Sequence, residues 1–168
     1  MSTLPFPFLT ALPAPYALRL QRDDDEAFAA ALYSSTRDDL RQMPAPPAMI
    51  EQLIAMQRRM QSHGYRQAFP HAAYLVLQHG DTPIGRLVIE RRDALLRLVD
   101  IAIVPAARGQ GAGGAVLRGL QAVADAEQLQ IHLGVNRNNP GARKLYLQLG
   151  FRVQAQDEVQ EQLVWSAP

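Results

Sequence analysis

Four glycines fall within six residues, between Gly109 and Gly114. The segment before them, Leu96–Val104, is nearly continuous apolar sequence, which is typical of a buried central strand. The segment after them, Gly113 to about Glu127, carries apolar residues along one side of a helix. A tight, uncovered backbone turn at a helix N-terminus presents N–H groups that bind anions. This strand–turn–helix element therefore predicts a diphosphate-binding loop, with Arg108 as a cation at its mouth.

The spacing of the glycines leaves several ligands open. A Walker loop is excluded, because neither its Lys nor its Ser/Thr is present. Gly109, Gly111 and Gly114 fit the Gly-x-Gly-x-x-Gly pattern of dinucleotide-binding enzymes, but that element opens its fold and is followed by an acidic residue on a second strand. Here the glycines lie two-thirds along the chain. A glycine-rich connector that binds no ligand is the remaining alternative.

Periodicity and turn signals predict one mixed α/β domain with the order β-α-α-β-β-β-α-β-α-β-β. A proline-rich arm of residues 1–15 precedes this domain, which spans residues 16–168. The predicted strands are Tyr16–Gln21, Ala73–Gln78, Ile84–Arg91, Leu96–Val104, Ile131–Val135, Phe151–Ala155 and Gln162–Trp165. Four helices are predicted. The first contains Phe28 and Leu32, and the others run from Ile50 to His63-Gly64, from Gly113 to about Glu127, and from Pro140 to Gly150.

Composition excludes several classes of function. The 168 residues include 17 Lys and Arg and 16 Asp and Glu, which gives a net charge of +1. Such a chain has no strong electrostatic field to attract nucleic acid or an anionic membrane. The chain has no cysteine, which excludes disulfides, thiolate metal sites and a cysteine nucleophile. Its histidines lack metal-ligand spacing. Prolines interrupt the apolar stretch Leu4–Leu18, and no other run is long enough to span a membrane. We expect a soluble, cytoplasmic protein without a metal.

Two segments resemble the signatures of GNAT-type N-acetyltransferases. Arg108–Gly113 is similar to the acetyl-CoA motif Arg/Gln-x-x-Gly-x-Gly/Ala of that family. Val135–Phe151 contains Asn-x-x-Ala-x-x-Leu-Tyr-x-x-x-Gly-Phe, which is similar to its second signature. The strong match covers Leu96 to Phe151, and residues 1–70 match only in element order. The resemblance implies a mostly antiparallel central sheet that splays between strands 4 and 5, with acetyl-CoA inserted there.

The resemblance also implies which residues bind acetyl-CoA. Main-chain groups of Ile103 and Val104 would contact the pantetheine arm, and one of their N–H groups would polarise the thioester carbonyl. The other implied ligands are Arg108, Gly109, Gln110, Gly111, Ala112, Gly113, Asn136, Asn139, Ala142 and Tyr146. Three of these have structural alternatives: Asn139 as the N-cap before Pro140, Asn136 as a turn residue, and Ala142 as ordinary helix packing.

Two residues are the candidates for catalysis. The Tyr146 hydroxyl would stabilise the departing thiolate and protonate it; the alternative is a core tyrosine. Asp100 is a lone acid in an apolar strand, and it could take the proton of the amine or hold its ammonium group. The alternative is a structural acid paired with Arg86 or Arg97. Val99 stands where some family members have Glu, and Glu90 is a second candidate for the base.

These features predict an acetyl-CoA-dependent N-acetyltransferase that works by direct transfer in a ternary complex. The acceptor is expected to be a primary amine on a small molecule or peptide. Three arginines before or near Tyr65–Pro70 could bind an acidic group on it: Arg58, Arg59 and Arg66. The alternatives are a non-catalytic acyl-CoA-binding domain, an acetyltransferase acting on a protein or charged tRNA, and a dinucleotide enzyme. A homodimer is left open.

Overall fold

The computed structural model describes residue 8 and residues 10–168, so most of the predicted arm, residues 1–7 and residue 9, lies outside the described part. Seven described strands form one sheet in the order β1-β2-β3-β4-β5-β7-β6. They are β1 (Tyr16–Leu20), β2 (Ala73–His79), β3 (Thr82–Arg92), β4 (Leu95–Ile103), β5 (Gln130–Asn136), β6 (Arg152–Gln156) and β7 (Gln160–Trp165). Of the neighbouring pairs, β4 and β5 run parallel and the others antiparallel. This mixed sheet confirms the predicted fold class.

Five helices cover the two faces of the sheet in the described chain: α1 (Glu26–Ser35), α2 (Asp38–Arg41), α3 (Pro47–Ala68), α4 (Ala112–Glu127) and α5 (Pro140–Gln148). α4 packs against β4 and β5, and its buried face includes Val116, Leu117 and Leu120. These side chains join one apolar core with alternate residues of the central strands. On the other face, α1 packs against α3 and contacts β3 and β4. None of the helices in residues 10–168 is long and apolar enough to cross a membrane.

β4 and β5 separate part of the way along their length. Their residues pair from Leu95↔Gln130 to Leu98↔Leu133, and beyond that point neither strand pairs with the other. On its other side, β4 carries a bulge. Ile89 pairs with Leu98 while Val88 pairs with Asp100, so Val99 is the extra residue. A bulge bends a strand and re-aims the side chains that follow it. It lies where the two parallel strands begin to diverge.

Two helix predictions differ from the structure. α3 continues through Gly64 to Ala68, four residues past the predicted end. A glycine inside a helix costs about 1 kcal/mol relative to alanine, and here it is followed by Tyr65, whose side chain is half-buried. The short α2 was not predicted, because four residues without an apolar stripe give no periodic signal.

The carboxylate of Asp25, at the start of α1, contributes to stability in a pH-dependent way. It accepts hydrogen bonds from Arg19 at 2.7 and 2.8 Å and from the Arg22 N–H at 2.7 Å. These donors hold the pKa of Asp25 well below its usual range. A group whose pKa is lowered by folding stabilises the protein above its unfolded pKa of about 3.9, and this stabilisation is lost as the pH falls.

We expect Asp25→Asn to lower the free energy of unfolding by about 2 kcal/mol at neutral pH and by progressively less below about pH 4. Urea unfolding at a series of pH values measures the difference. Asp24→Asn is the matched control, because that neighbouring side chain is 81% exposed and should change stability by less than about 0.5 kcal/mol. An equal loss in the free energy of unfolding at neutral and acid pH would contradict the role of the Asp25 charge.

Candidate functional site

The divergence of β4 and β5 opens a cleft, here called the splay cleft, of about 140 Å³. Its walls are the ends of the two strands and the first turns of α5. The lining residues are Leu98, Val99, Asp100, Ile101, Leu133, Gly134, Val135, Asn136, Asn139, Ala142 and Tyr146. Backbone groups that a neighbouring strand would otherwise pair are available along such a cleft. An extended chain with amide groups could therefore bind between the strands.

Tyr146 lies on α5 with its ring packed on Phe151, at a centroid distance of 5.8 Å. The residue is 6% exposed. Its hydroxyl has no hydrogen-bond partner in the described chain, yet it is not among the polar atoms sealed from solvent, so it opens into the splay cleft. Burial, followed by the nearby charge of Asp100, raises the pKa of Tyr146 to about 12. At neutral pH this side chain is a buried hydroxyl with a proton to donate.

Asp100 lies between the splay cleft and a second cavity. This second cavity, here called the helix-side cavity, encloses about 220 Å³ between α1, α3 and the sheet. It is lined by Ala29, Leu32, Tyr33, Thr36, Gln61, Arg86, Asp100, Ile101, Ala102 and Asn139. The Oδ2 atom of Asp100 accepts a hydrogen bond of 2.8 Å from Arg86 Nη2, which is one of the two pairings foreseen for a structural acid. The carboxylate is still 25% exposed, so it remains accessible to a ligand.

The backbone of β4 corrects the prediction for Val104. The Val104 N–H donates to the Ile84 carbonyl at 2.8 Å, on the β3 side. Its N–H is therefore not free to polarise a thioester. Because bonding directions alternate along an antiparallel pair, the N–H groups of Ile103 and Ile101 point away from β3, toward the side on which β5 diverges; Ile101 lines the splay cleft. The Ile103 carbonyl accepts a hydrogen bond of 2.9 Å from Arg108 Nε. The N–H of Ile103 is the group that can fill the predicted role.

The glycine-rich loop adopts a conformation that few side chains allow. Gly109 and Gly111 have φ angles of +73° and +89°, and a Cβ atom at either position would meet nothing within 4 Å. Gly111 is the N-cap of α4, so the N–H groups of Gly111 and of the first turn, which includes Ala112 and Gly113, have no partner within the helix. The loop thus places N–H groups without helical partners beside open space at Gly109 and Gly111, an arrangement that suits a diphosphate.

The neighbours of this loop hold it in place. The exposed Arg108 side chain is anchored to the Ile103 carbonyl, and Gln110 Nε2 donates to the Ala106 carbonyl at 3.1 Å. The Tyr16 hydroxyl donates to the Gln110 carbonyl at 3.2 Å, linking β1 to the loop. The guanidinium of Arg108 adds a positive group to the segment that leads into α4.

Three residues predicted as ligands lie between the end of β5 and the first turn of α5. Asn139 is the N-cap, and its Oδ1 accepts a hydrogen bond of 3.2 Å from the Ala142 N–H. Asn136 Oδ1 accepts one of 3.1 Å from the Asn138 N–H, which makes it a turn residue. The structural alternatives are therefore present for both asparagines. Asn136, Asn139 and Ala142 nevertheless all line the splay cleft, and the amide nitrogens of the two asparagines have no partner in the described chain.

Several residues near Asp100 were not singled out from the sequence. Tyr33 and Gln61 line the helix-side cavity. Burial, followed by the charge of Asp100, raises the pKa of Tyr65. A charged residue in each of two adjacent apolar strands, Arg86 and Asp100, is the one sequence signal that could have indicated this cavity.

Other candidates lie elsewhere. Glu90 is buried and held by Arg92 at 2.7 Å, and it lines neither cavity. Arg58 is paired with Glu26 at 2.6 Å. Arg59 and Arg66 are exposed and also lie outside both cavities. The arginine that reaches the helix-side cavity is Arg86.

Chemically, the two cavities meet at one carboxylate. A ligand in the splay cleft would have its end near Tyr146, and a ligand in the helix-side cavity would reach the same point from the opposite side. Asp100, Ile101 and Asn139 line both. The site can hold a proton donor and a proton acceptor on either side of a group passing from one ligand to the other.

Comparisons with known proteins agree with this geometry. The model of the acetyltransferase (GNAT) family matches residues 30–151. An uncharacterized N-acetyltransferase of Mycobacterium tuberculosis is 27% identical over 117 residues, which cover 66% of this chain and 75% of that protein. The PaiA N-acetyltransferase of Thermoplasma acidophilum, solved in complex with coenzyme A, is 15% identical with a TM-score of 0.67, over 90% of this chain and 99% of that one. An acetyltransferase of Thermus thermophilus is 19% identical with a TM-score of 0.63, over 90% and 97% of the two chains. Both solved structures share the fold described above.

Proposed function

Because the chain belongs to the acetyltransferase (GNAT) family, we propose that it transfers the acetyl group of acetyl-CoA directly to a primary amine of a small molecule or peptide, within a ternary complex. The family match confirms the resemblance seen in Arg108–Gly113 and Val135–Phe151. The observation that carries the proposal is the position of Asp100, which lies between two cavities with the free hydroxyl of Tyr146 near it. We propose that residues 16–168 make up the transferase domain.

The residues present fit acetyl-CoA. The N–H groups of the loop around Gly111 and the charge of Arg108 would bind the diphosphate. The main-chain groups of Ile101 and the N–H of Ile103 would bind the pantetheine arm, as a neighbouring strand would; the Ile103 carbonyl is bonded to Arg108. Asn136 and Asn139 would donate from their amide nitrogens to the same arm. When bound, the thioester supplies an activated acetyl group with a thiol as its leaving group.

The remaining chemistry is proton transfer by this chain. The acceptor nitrogen forms a bond to the acetyl carbon while the carbon–sulfur bond breaks. Asp100, directly or through water, takes the proton that the amine loses, and Tyr146 donates its proton to the sulfur. The Ile103 N–H stabilises the negative charge that develops on the acetyl oxygen. Solvent then carries the proton from the carboxyl group back to the phenol, so the enzyme returns to its starting state.

A titration and a turnover assay test this proposal. Calorimetry should show binding of coenzyme A and none of NADH, which is the ligand of the dinucleotide alternative. Release of free thiol from acetyl-CoA, followed with an aromatic disulfide reagent, should require an added primary amine. Binding without any amine-dependent thiol release would favour the non-catalytic alternative. The absence of coenzyme A binding would contradict the proposal altogether.

Substitution of Gly111 tests the contribution of the glycine-rich loop to acetyl-CoA binding. Gly111→Ala places a side chain at φ +89°, a conformation that L residues rarely adopt. The loop should shift and misalign its N–H donors, and we expect the KM for acetyl-CoA to rise roughly tenfold. The matched control is Gly80→Ala in the β2–β3 turn, where φ is +59° and the added atom also meets nothing. If both variants have the KM of the parent enzyme, Gly111 does not shape the donor site.

A further inference from the structure

Arg86 presents part of its guanidinium to the helix-side cavity. The side chain is 9% exposed, and its one hydrogen bond in the described chain runs from Nη2 to Asp100. Its Nε and Nη1 atoms have no such partner, and neither is among the buried nitrogens sealed from solvent. Since Arg86 lines the helix-side cavity, these two donors open into it. A nearly buried guanidinium with free N–H groups is a strong site for an anion.

The surroundings of Arg86 favour a singly charged anion of small size. Asp100 already balances its charge, so a dianion such as a phosphate monoester would be repelled by that carboxylate. A carboxylate accepts two parallel hydrogen bonds from one edge of a guanidinium. Nε and Nη1 of Arg86 do not share an edge, so one of them would form this pair together with the second N–H of Nη2, whose first N–H is bonded to Asp100. The helix-side cavity has a volume of about 220 Å³, which is enough for a small ligand. A small carboxylate fits both the charge and the space.

The reacting amine must lie close to the ligand's own carboxylate. Arg86 and Asp100 are in contact at 2.8 Å, and in the proposed function Asp100 receives the amine. The amine and the anionic group of one ligand can therefore be separated by only a short distance, as they are in an α-amino acid. The cavity also has an apolar side, which includes Ala29 and Leu32 and can accept a side chain.

We propose that the acceptor is a free α-amino acid, whose carboxylate binds Arg86 while its amine lies against Asp100. This inference rests on the proposed function and names the substrate class of the same site. It also assigns to Arg86 the recognition of an acidic acceptor group that the sequence suggested for Arg58, Arg59 and Arg66. Of these, Arg58 is held by Glu26 through two hydrogen bonds, of 2.6 and 3.1 Å.

The first experiment compares each amino acid with its own carboxamide. Glycine, alanine, leucine and phenylalanine, each beside its amide, are assayed for thiol release from acetyl-CoA. Amino acids should have values of kcat/KM roughly 10- to 100-fold higher than their amides, which corresponds to one charge-assisted pair of hydrogen bonds. The amine of an amide is the less basic of the two, so kcat/KM is measured over a range of pH and compared for the neutral amine of each. The change of the acid-to-amide ratio in the Arg86 variants then separates recognition of the carboxylate from any remaining difference in nucleophilicity.

The second experiment shifts that preference with Arg86→Gln and Arg86→Lys. Loss of Arg86 can also alter Asp100, and so the readout is the ratio of acid to amide and not the rate alone. We expect the ratio to fall to near one in Arg86→Gln and to an intermediate value in Arg86→Lys, which keeps the charge but lacks the planar edge. Arg143→Gln is the matched control, since that arginine pairs with Glu161 at 2.6 Å outside the helix-side cavity. It should retain the ratio of the parent.

The outcomes distinguish the two proposals. Amides used as well as amino acids, or an unchanged ratio in Arg86→Gln, would overturn the assignment of the acceptor while leaving acetyl transfer intact. Thiol release with other amines, but with neither the amino acids nor their amides, would also overturn the assignment of the acceptor. If Arg86→Gln does not fold, the acid-to-amide comparison in the parent enzyme and in Arg86→Lys still tests the assignment of the acceptor. A lack of coenzyme A binding would instead contradict the proposed function.

Discussion

Tyr146→Phe is expected to lower kcat about 100-fold or more while changing the KM for acetyl-CoA by less than about threefold. The departing thiolate would form inside the splay cleft, where an anion that is partly removed from water and lacks a hydrogen-bond donor is costly. With its pKa at about 12, the phenol is protonated across the pH range of ordinary assays. Phe keeps the ring that packs on Phe151 and removes only the hydroxyl. Thiol-release kinetics and calorimetry with coenzyme A measure the two effects separately.

Tyr74→Phe is the matched control for this variant. The Tyr74 hydroxyl is also buried, has no partner in the described chain, and lines neither cavity. Removing it should leave kcat within about twofold of the parent value. A core tyrosine at position 146 would behave in the same way as Tyr74. If kcat of Tyr146→Phe remains within about threefold of the parent, the hydroxyl is not the proton donor, and the structural alternative is correct.

The parts of the site that local sequence could predict are those built from consecutive residues. The loop around Gly111 and the N-cap at Asn139 depend on spacing within one strand–helix element, so glycine and asparagine positions were enough to locate them. The hairpin between β2 and β3 was also predicted, because Gly80-Asp81 interrupts two apolar runs. The boundaries of these elements agree with the structure to within about two residues, apart from α3.

The face on which Asp100 lies depends on pairing between strands and could not be read from periodicity. Leu96 and Leu98 belong to the core beneath α4, and simple alternation would place Asp100 on that same side. The bulge at Val99 reverses the alternation. Asp100 then pairs with Val88 and lies on the face of Arg86. No residue type at position 99 announces a bulge, since the extra residue is defined only by the register against β3.

The direction of the Val104 N–H could not be predicted from the sequence for the same reason. Sequence identifies a strand, but the side toward which each N–H points depends on the phase of the ladder with its neighbour. The hydrogen bond from Val104 to Ile84 fixes that phase. It directs the N–H groups of Ile101 and Ile103, and not that of Val104, away from β3 and toward the side on which β5 diverges. The continuation of α3 past Gly64 likewise depends on what Tyr65 contacts in the folded chain.

Asp100→Asn is expected to lower kcat/KM for the amine about 100-fold and to leave coenzyme A binding unchanged. Asn has nearly the same shape and can still accept the hydrogen bond from Arg86, but it cannot take a proton. Raising the pH toward the pKa of the acceptor amine should restore part of the rate, since an amine that is already neutral depends less on an anion to hold and deprotonate it. A residue with a purely structural role would lose stability instead, without this recovery at high pH.

Glu90→Gln supplies the matched control for Asp100, because Glu90 is the other acid that the sequence offered as a base. It is buried on the neighbouring strand and paired with Arg92 at 2.7 Å, outside both cavities. Its replacement should retain the amine kinetics of the parent even if the free energy of unfolding falls, since no ligand in either cavity reaches it. Thiol release at several pH values, measured for both variants with the same amine, compares the two acids directly. Normal turnover by Asp100→Asn together with impaired turnover by Glu90→Gln would reverse the assignment, and it would move the proton acceptor away from the junction of the two cavities.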